Sequence, residues 1–330
     1  MKSTNYNFAT GKIRYLETKL PDKTDIERMV DAPDLNSCLK ALYDTDYADN
    51  LLEVEPADFE KAVFDDLEQA KDLLYQIVPD KEFIKFLLLD FDFHNLKVLF
   101  KEKLFGKDTS YLLSSLAYFK ASDLKKYLAG DKKILIDLEI KEIIDQASQK
   151  LTNKVIPYKI EPFFDKQYFI LLTKITKRLK NKFLTNFVTR QIDLTNFRIF
   201  LRIKNLDKDI NFLQEFLIDG GNIEKEEFIK IFKEDLKLSL PRLAKFLPFR
   251  CEKYFNEYVE KNILWLLEKR LFDEEIEYLK KVNYIAFGPE IVLAYFYAKK
   301  NANKNIRLIM NGKLNKIDAS ILKERLRKLY

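Results

Sequence analysis

A single histidine, His94, two distant cysteines, Cys38 and Cys251, and a glutamate set in an apolar run, Glu290, have the side chains with the most obvious chemical potential in this sequence. One histidine and two cysteines so far apart do not make an ordinary zinc site. His94 has no companion base or nucleophile in a recognisable pattern, so it reads as a residue of a helix surface. The cysteines read as small apolar residues of a protein kept in a reducing compartment. Glu290 follows Gly288-Pro289, a helix-opening pair, and an acid in the first turn is favoured by the helix dipole. A partner-binding role for Glu290 is the second reading. Carboxylates are so numerous that no pair is diagnostic. The seven glycines are scattered and form neither a P-loop nor a dinucleotide fingerprint. No catalytic residue, cofactor or metal is predicted.

The pattern that does stand out is repeated. DFHNLKVLF (92–100), DLTNFRIFL (193–201) and ANKNIRLIM (302–310) each carry Asn, an apolar residue, a basic residue and three more apolar residues. The asparagines are Asn95, Asn196 and Asn305, separated by 101 and 109 residues. Two places on stand Lys97, Arg198 and Arg307; eight places on stand Lys103, Lys204 and Lys313. Apolar residues at +1, +4 and +5 share one face of a helix. Each copy therefore predicts an amphipathic helix with the Asn near its start, and Asp92 and Asp193, three places upstream, are candidate N-caps. Amphipathicity requires neither the Asn nor the +8 Lys, which argues for an internal repeat. A buried amide needs hydrogen-bond partners, so the asparagines are expected to bind backbone within each repeat. Two readings stand for the basic residues. They pair with neighbouring acids, or Lys97, Arg198 and Arg307 line a common cavity and, with the +8 lysines, meet a partner.

The elements that must position these residues are helical. Few Gly and Pro in 330 residues, with Leu, Ile, Lys and Glu dominant, leave too few turns for an all-β fold. DAPDL (31–35), KASDL (120–124) and, more weakly, FKEDL (232–236) precede the three asparagines by 60, 72 and 69 residues, counted from each Leu. Each third is thus expected to begin with a short helical pair broken near Asp-Leu and to end with the Asn-bearing helix. Breaks fall near Gly106 and at Gly220-Gly221, dividing the chain into modules 1–106, 107–220 and 221–330. Pro33, Pro157, Pro162 and Pro289 mark helix starts or stops. The expected fold is all-α, with three similar modules around a common centre. Net charge is +6, but 52 acids are mixed among 58 bases, the signature of a solvated helical surface rather than a nucleic-acid footprint. No apolar run approaches the ~18 residues of a membrane span, and Lys2 is followed by polar residues rather than a signal-peptide core.

LLLDFDFHNLKVLFKEKLFG (87–106) resembles the central-stalk family of rotary V/A-type ATPases, designated C in the bacterial and archaeal enzymes and d in the eukaryotic vacuolar enzyme. Residues 7–51, containing Thr45-Asp46-Tyr47, resemble the family's opening, with Ala48 where eukaryotic members have Gly. FLIDGGNIEKEEF (216–228) matches the middle Gly-Gly turn, and residues 287–315 match the C-terminal signature. The segment 107–180 matches in helical character alone. The resemblance implies a funnel of three helical modules, peripheral on the cytoplasmic face of the membrane rotor ring and receiving the central axle. Its implied partners are the proteolipid ring subunits and the axle subunits. Its implied role is to transmit torque between ATP turnover and proton or sodium movement, without chemistry of its own. The competing readings are a soluble helical-repeat scaffold and an RNA-binding protein; thirds of about 105 residues are too coarse for base-by-base RNA reading.

Overall fold

The computed structural model describes residues 3–51, 54–151, 157–247 and 251–330. Every regular element among them is helical. They fall into two compact units: a split unit drawn from 1–81 and 261–330, and a continuous unit, 82–260.

The split unit opens with α1 (Asn7–Glu17), α2 (Lys23–Asp31), α3 (Leu35–Lys40), α4 (Ala48–Leu51) and α5 (Phe59–Ile77). Their starts are written locally. Asp22 and Asp25 form a reciprocal capping box on α2, and the Asp34 carboxylate accepts from the Ser37 amide to start α3. The Asp-Leu break expected at 34–35 is therefore a helix cap. In the continuous unit follow α6 (Lys81–Phe105, whose first residue precedes the boundary), α7 (Ala121–Leu128), α8 (Leu138–Lys150), α9 (Ile160–Leu179) and α10 (Lys182–Asn205). Then come α11 (Ile210–Phe216), α12 (Lys225–Ile231), α13 (Leu236–Ala244) and α14 (Glu252–Lys261, whose last residue lies past the boundary). The chain returns to the split unit with α15 (Leu264–Leu279), α16 (Pro289–Leu314) and α17 (Ala319–Arg325).

Several boundaries follow the sequence reading. Gly106 adopts φ +66 and its amide caps Glu102 O, ending α6 where the break was expected. Pro289 opens α16 with Glu290 in its first turn. Asp235 caps α13 at the third Asp-Leu. The second does not mark a break: Asp123 and Leu124 lie inside the first turn of α7. Pro162 lies within the first turn of α9 rather than at its edge, a position where a missing amide proton costs no helical bond.

The three repeat helices are α6, α10 and α16, and they differ from expectation in two ways. The asparagines stand mid-helix, because each helix begins many residues earlier, and Asp92 and Asp193 are consequently not N-caps. The helices are also buried on more than one face. Residues 291–296 of α16 are all at most 2% exposed, which a single apolar stripe cannot produce. These are central helices wrapped by shorter ones. Around α16, Met29, Cys38, Leu42, Tyr47 and Ala62 from the first part of the chain close a core with Ile306, Ile309 and Met310. In the continuous unit Phe197 stacks on Phe255 at 5.0 Å and meets Phe228 edge-on at 5.5 Å, while Phe164 of α9 packs against Phe100 at 5.1 Å. Both cysteines are free and buried, and burial pushes the Cys38 thiol up to about 12, so it stays protonated.

Candidate functional site

The repeat becomes a structural device at its asparagines. Asn95 Nδ2 donates to Ser114 O (2.9 Å) and its Oδ1 accepts from Ser114 N (2.7 Å). Asn196 does the same to Ile218, at 2.8 and 2.9 Å. Asn305 does so to Arg327, at 3.0 and 2.9 Å. A carboxamide carries one donor edge and one acceptor edge, the complement of a peptide unit in extended chain; Asp lacks the donor. In all three cases the residue just before the clamped one is a leucine with extended ψ: Leu113 at 135°, Leu217 at 141° and Leu326 at 134°. Each leucine ends a short helix: a 3-10 turn at Ser110–Leu112, then α11 and α17. The recurring unit is thus a long helix, a short helix, a leucine and a clamped peptide.

The aspartates three places before the first two asparagines catch the same loops further on. Asp92 Oδ1 accepts from Phe119 N at 2.8 Å. Asp193 accepts from Ile223 N (3.1 Å) and Asn222 Nδ2 (2.7 Å). Burial raises both carboxyls, Asp193 to about 6 and Asp92 well above the usual carboxylate range, against the pull of the amide donors. Gly221 explains itself here: a methyl at that position would come 2.3 Å from Asp193 Oδ1. The third repeat has Ala302 in place of the aspartate.

The +8 lysines hold the ends of short helices. Lys204 Nζ donates to Phe232 O at 2.6 Å and to Glu234 O, at the end of α12. Lys313 Nζ donates to Val30 O (2.5 Å) and Ala32 O (2.6 Å), at the end of α2. Both therefore grip carbonyls i and i+2, where the helix dipole favours a cation. Lys103 reaches Leu128 O, the last residue of α7, at 3.5 Å. The partners of the third copy come from the opposite end of the chain. At +2, Lys97 pairs with Asp165 (2.6 Å) and Glu161 (2.9 Å), and Arg307 with Glu60 (2.7 Å). Arg198 bonds to Leu194 O and Thr195 Oγ1 of its own helix. Lys97, Lys103, Arg198 and Lys204 belong to the continuous unit, and Arg307 and Lys313 to the split unit. His94 is exposed, with Nε2 2.8 Å from Leu112 O.

Sequence reasoning overlooked a buried ionic cluster in the split unit. Lys299 of α16 donates to Asp66 of α5 (2.6 Å) and to Asp46, and its ammonium lies 4.5 Å from the centre of the Tyr47 ring. The Tyr47 hydroxyl donates to Asn303 Oδ1, and Asn303 Nδ2 donates to Val63 O at 3.0 Å. The Thr45-Asp46-Tyr47 segment is therefore a pillar against α16. Burial, reinforced by the Asp46 charge and opposed by Lys299 and Tyr47, raises Asp66 to about 7. A signal for it was present. Asp66 falls on the apolar stripe Ala62, Val63, Leu67, Ala70 of α5, where a charge needs a buried partner.

Among the described residues no group of acids, His or Cys is arranged to hold a metal, and no helix is long and apolar enough to cross a membrane. What the geometry builds is helix packing in which each repeated asparagine is paired on both edges with one loop residue. Similarity to known proteins extends over nearly the whole length. The chain is 23% identical to the C subunit of the V-type sodium ATPase of Enterococcus hirae, covering 98% of this chain and 99% of that one. It is 23% identical to the C subunit of the A-type ATP synthase of Thermococcus kodakarensis and 25% identical to that of Thermococcus onnurineus, covering 98% and 99% of this chain and 90% of each relative. The model of the ATP synthase (C/AC39) subunit family matches residues 9–325. With that match spanning nearly every element described above, the chain belongs to the ATP synthase (C/AC39) subunit family.

Proposed function

We propose that this protein is the non-catalytic central-stalk subunit of a rotary V/A-type ATPase. It joins the axle of the nucleotide-binding head to the membrane rotor ring, on the cytoplasmic face, and transmits torque coupled to proton or sodium transport. The observation that carries the reading is the unbroken family match over residues 9–325, together with V-type and A-type relatives that cover at least 98% of the chain. Three further features support it. A torque coupler must resist twisting, and clamped loops around buried central helices are stiff. The +8 lysines connect consecutive thirds in a cycle: Lys103 to 128, Lys204 to 232 and 234, Lys313 back to 30 and 32. That cycle favours three related modules, 1–106, 107–220 and 221–330, closed as a pseudo-threefold funnel that receives the axle. Third, the repeat uses its polar residues for internal bonds, as expected of a part with no reaction to perform.

In this proposal the partners are the proteolipid ring and the axle subunits, with no nucleic acid. Of the six repeated basic residues, partner contact falls first on Arg198, whose hydrogen bonds all stay on its own helix. The test is a tagged pull-down from gently solubilised membranes of the source cells, with co-purifying chains identified by mass spectrometry. Recovery of a small, very apolar ring subunit with axle and nucleotide-binding subunits is the expected result. Recovery of only soluble scaffold partners, or of RNA, overturns the reading.

A further inference from the structure

The split unit buries one positive charge between two negative ones. Lys299 is 3% exposed in its side chain, Asp66 2% and Asp46 13%. Each carboxylate gives one oxygen to the ammonium. The other two, Asp46 Oδ1 and Asp66 Oδ2, are buried and unpaired, and the Tyr47 hydroxyl gives Asp66 its one further polar neighbour. A fully ionised triad therefore carries a net charge of −1 in a low-dielectric site, with two of its four carboxylate oxygens unpaired. Such an arrangement is costly, and a bound proton removes the cost.

Among the described residues neither aspartate makes an ion pair with a cation other than Lys299. Tyr295 is the titratable neighbour from α16, and burial together with the Asp46 and Asp66 charges holds its phenol neutral. Tyr47, beside Asp46, is likewise held neutral by burial and the two aspartates. From the α1 side come Lys12 and Lys19, both exposed, with Glu17 of opposite sign acting on Tyr295. From the segment leading into α4 and from α4 itself come two more acids, Asp44 and Asp49. A cavity of about 620 Å³, lined by Asp46, Asp66, Tyr295 and Lys299 among others, joins the triad to this mixed rim.

The continuous unit supplies the contrast. Lys85 there is also 3% exposed and also holds two carboxylates, Asp137 at 2.5 Å and Glu139 at 3.4 Å. Those acids are 46% and 26% exposed, so water solvates their negative charge. Of these two buried lysines, Lys299 is the one whose carboxylates are shielded from water.

We propose that Asp46, Asp66 and Lys299 together bind one exchangeable proton, delivered through this cavity, and that the split unit is stabilised when that proton is bound. The O–H bond forms on an aspartate oxygen, with a solvent acid as donor and its conjugate base released. The raised titration of both aspartates agrees with this. A carboxyl whose folded value is raised contributes stability fully present below its unfolded value near 4 and lost as pH rises through neutrality.

The experiment is urea unfolding of the full chain from pH 5 to 8.5, for the native protein and for Asp66→Asn. The ratio of their unfolding constants is expected to change up to about tenfold per pH unit between pH 5 and 7, with the variant gaining relative to the native protein as pH rises. Parallel pH profiles overturn the proposal. Should Asp66→Asn not fold, carbon-13 carboxyl titration of the native protein and of Asp46→Asn decides it. An aspartate titrating near neutral pH whose midpoint falls when Asp46 loses its charge supports the shared proton. No such resonance overturns it.

Discussion

Replacing Asn196 with alanine should be the most damaging of the three equivalent substitutions. In the native protein its carboxamide closes two bonds to Ile218, both buried, at 2.8 and 2.9 Å. Alanine leaves the Ile218 amide and carbonyl without partners in a place water does not reach, at about 1–3 kcal/mol for each group, or about 2–6 kcal/mol together. The bonds of Asn95 and Asn305 are only part-buried, so water replaces the lost partner. Each bond there is worth about 0.5–1.5 kcal/mol, or about 1–3 kcal/mol for the pair. The ranking therefore follows solvent access, since all three clamps have the same chemistry and nearly the same lengths. Urea unfolding followed by circular dichroism gives the overall loss. Amide exchange over residues 217–223 locates it in the continuous unit, which the lone tryptophan, Trp265 of α15, does not report. A cost below about 1 kcal/mol for Asn196→Ala, or equal costs at all three sites, would refute the reasoning.

The +8 lysines give a second graded test: Lys204→Met removes two close carbonyl contacts and should cost about 1–3 kcal/mol, seen as faster exchange in α12. Lys103→Met loses one 3.5 Å exposed contact and should stay within about 0.5 kcal/mol. Asp193, raised by burial to about 6, contributes stability present below about pH 4 and lost as pH rises through 6. Asp193→Asn should flatten the stability profile over that window by about 2–3 kcal/mol, whereas an unchanged profile would mean that the carboxyl titrates alike in folded and unfolded chain.

The all-helical class was legible because turn-formers are scarce and helix-formers abundant, a property every residue contributes to. The asparagine repeat was legible because a polar residue recurred where amphipathicity did not need one. Its bonding was half legible: backbone partners were expected, but the partners lie 19 to 22 residues on, in loops whose course a helical period does not encode. Asp92 and Asp193 were misplaced at helix starts for a related reason. The residues before them, 87–91 and 188–192, are too uniformly buried or mixed to show where a helix begins. The Lys299 cluster escaped because its members lie at positions 46, 66 and 299, joined by folding alone. Asp66 on an apolar stripe was the one local clue, and it names no partner.

The split unit also sets an order of events during synthesis. Its first helices leave the ribosome early, yet Asp66 waits 233 residues for Lys299, Tyr47 waits 256 for Asn303, and Val30 waits 283 for Lys313. In the continuous unit the delay is far shorter: its loop clamps close over about 30 residues or fewer, and its ion pairs Lys85–Asp137 and Lys97–Asp165 over 52 and 68. Local contacts form fast and distant ones slowly, so the middle of the chain folds first while α1–α5 expose the apolar faces that α16 will cover. The helix that finishes the beginning of the protein is made more than 200 residues after it. Synthesis of α16, rather than emergence of the first domain-sized segment, is the moment from which those faces can be buried.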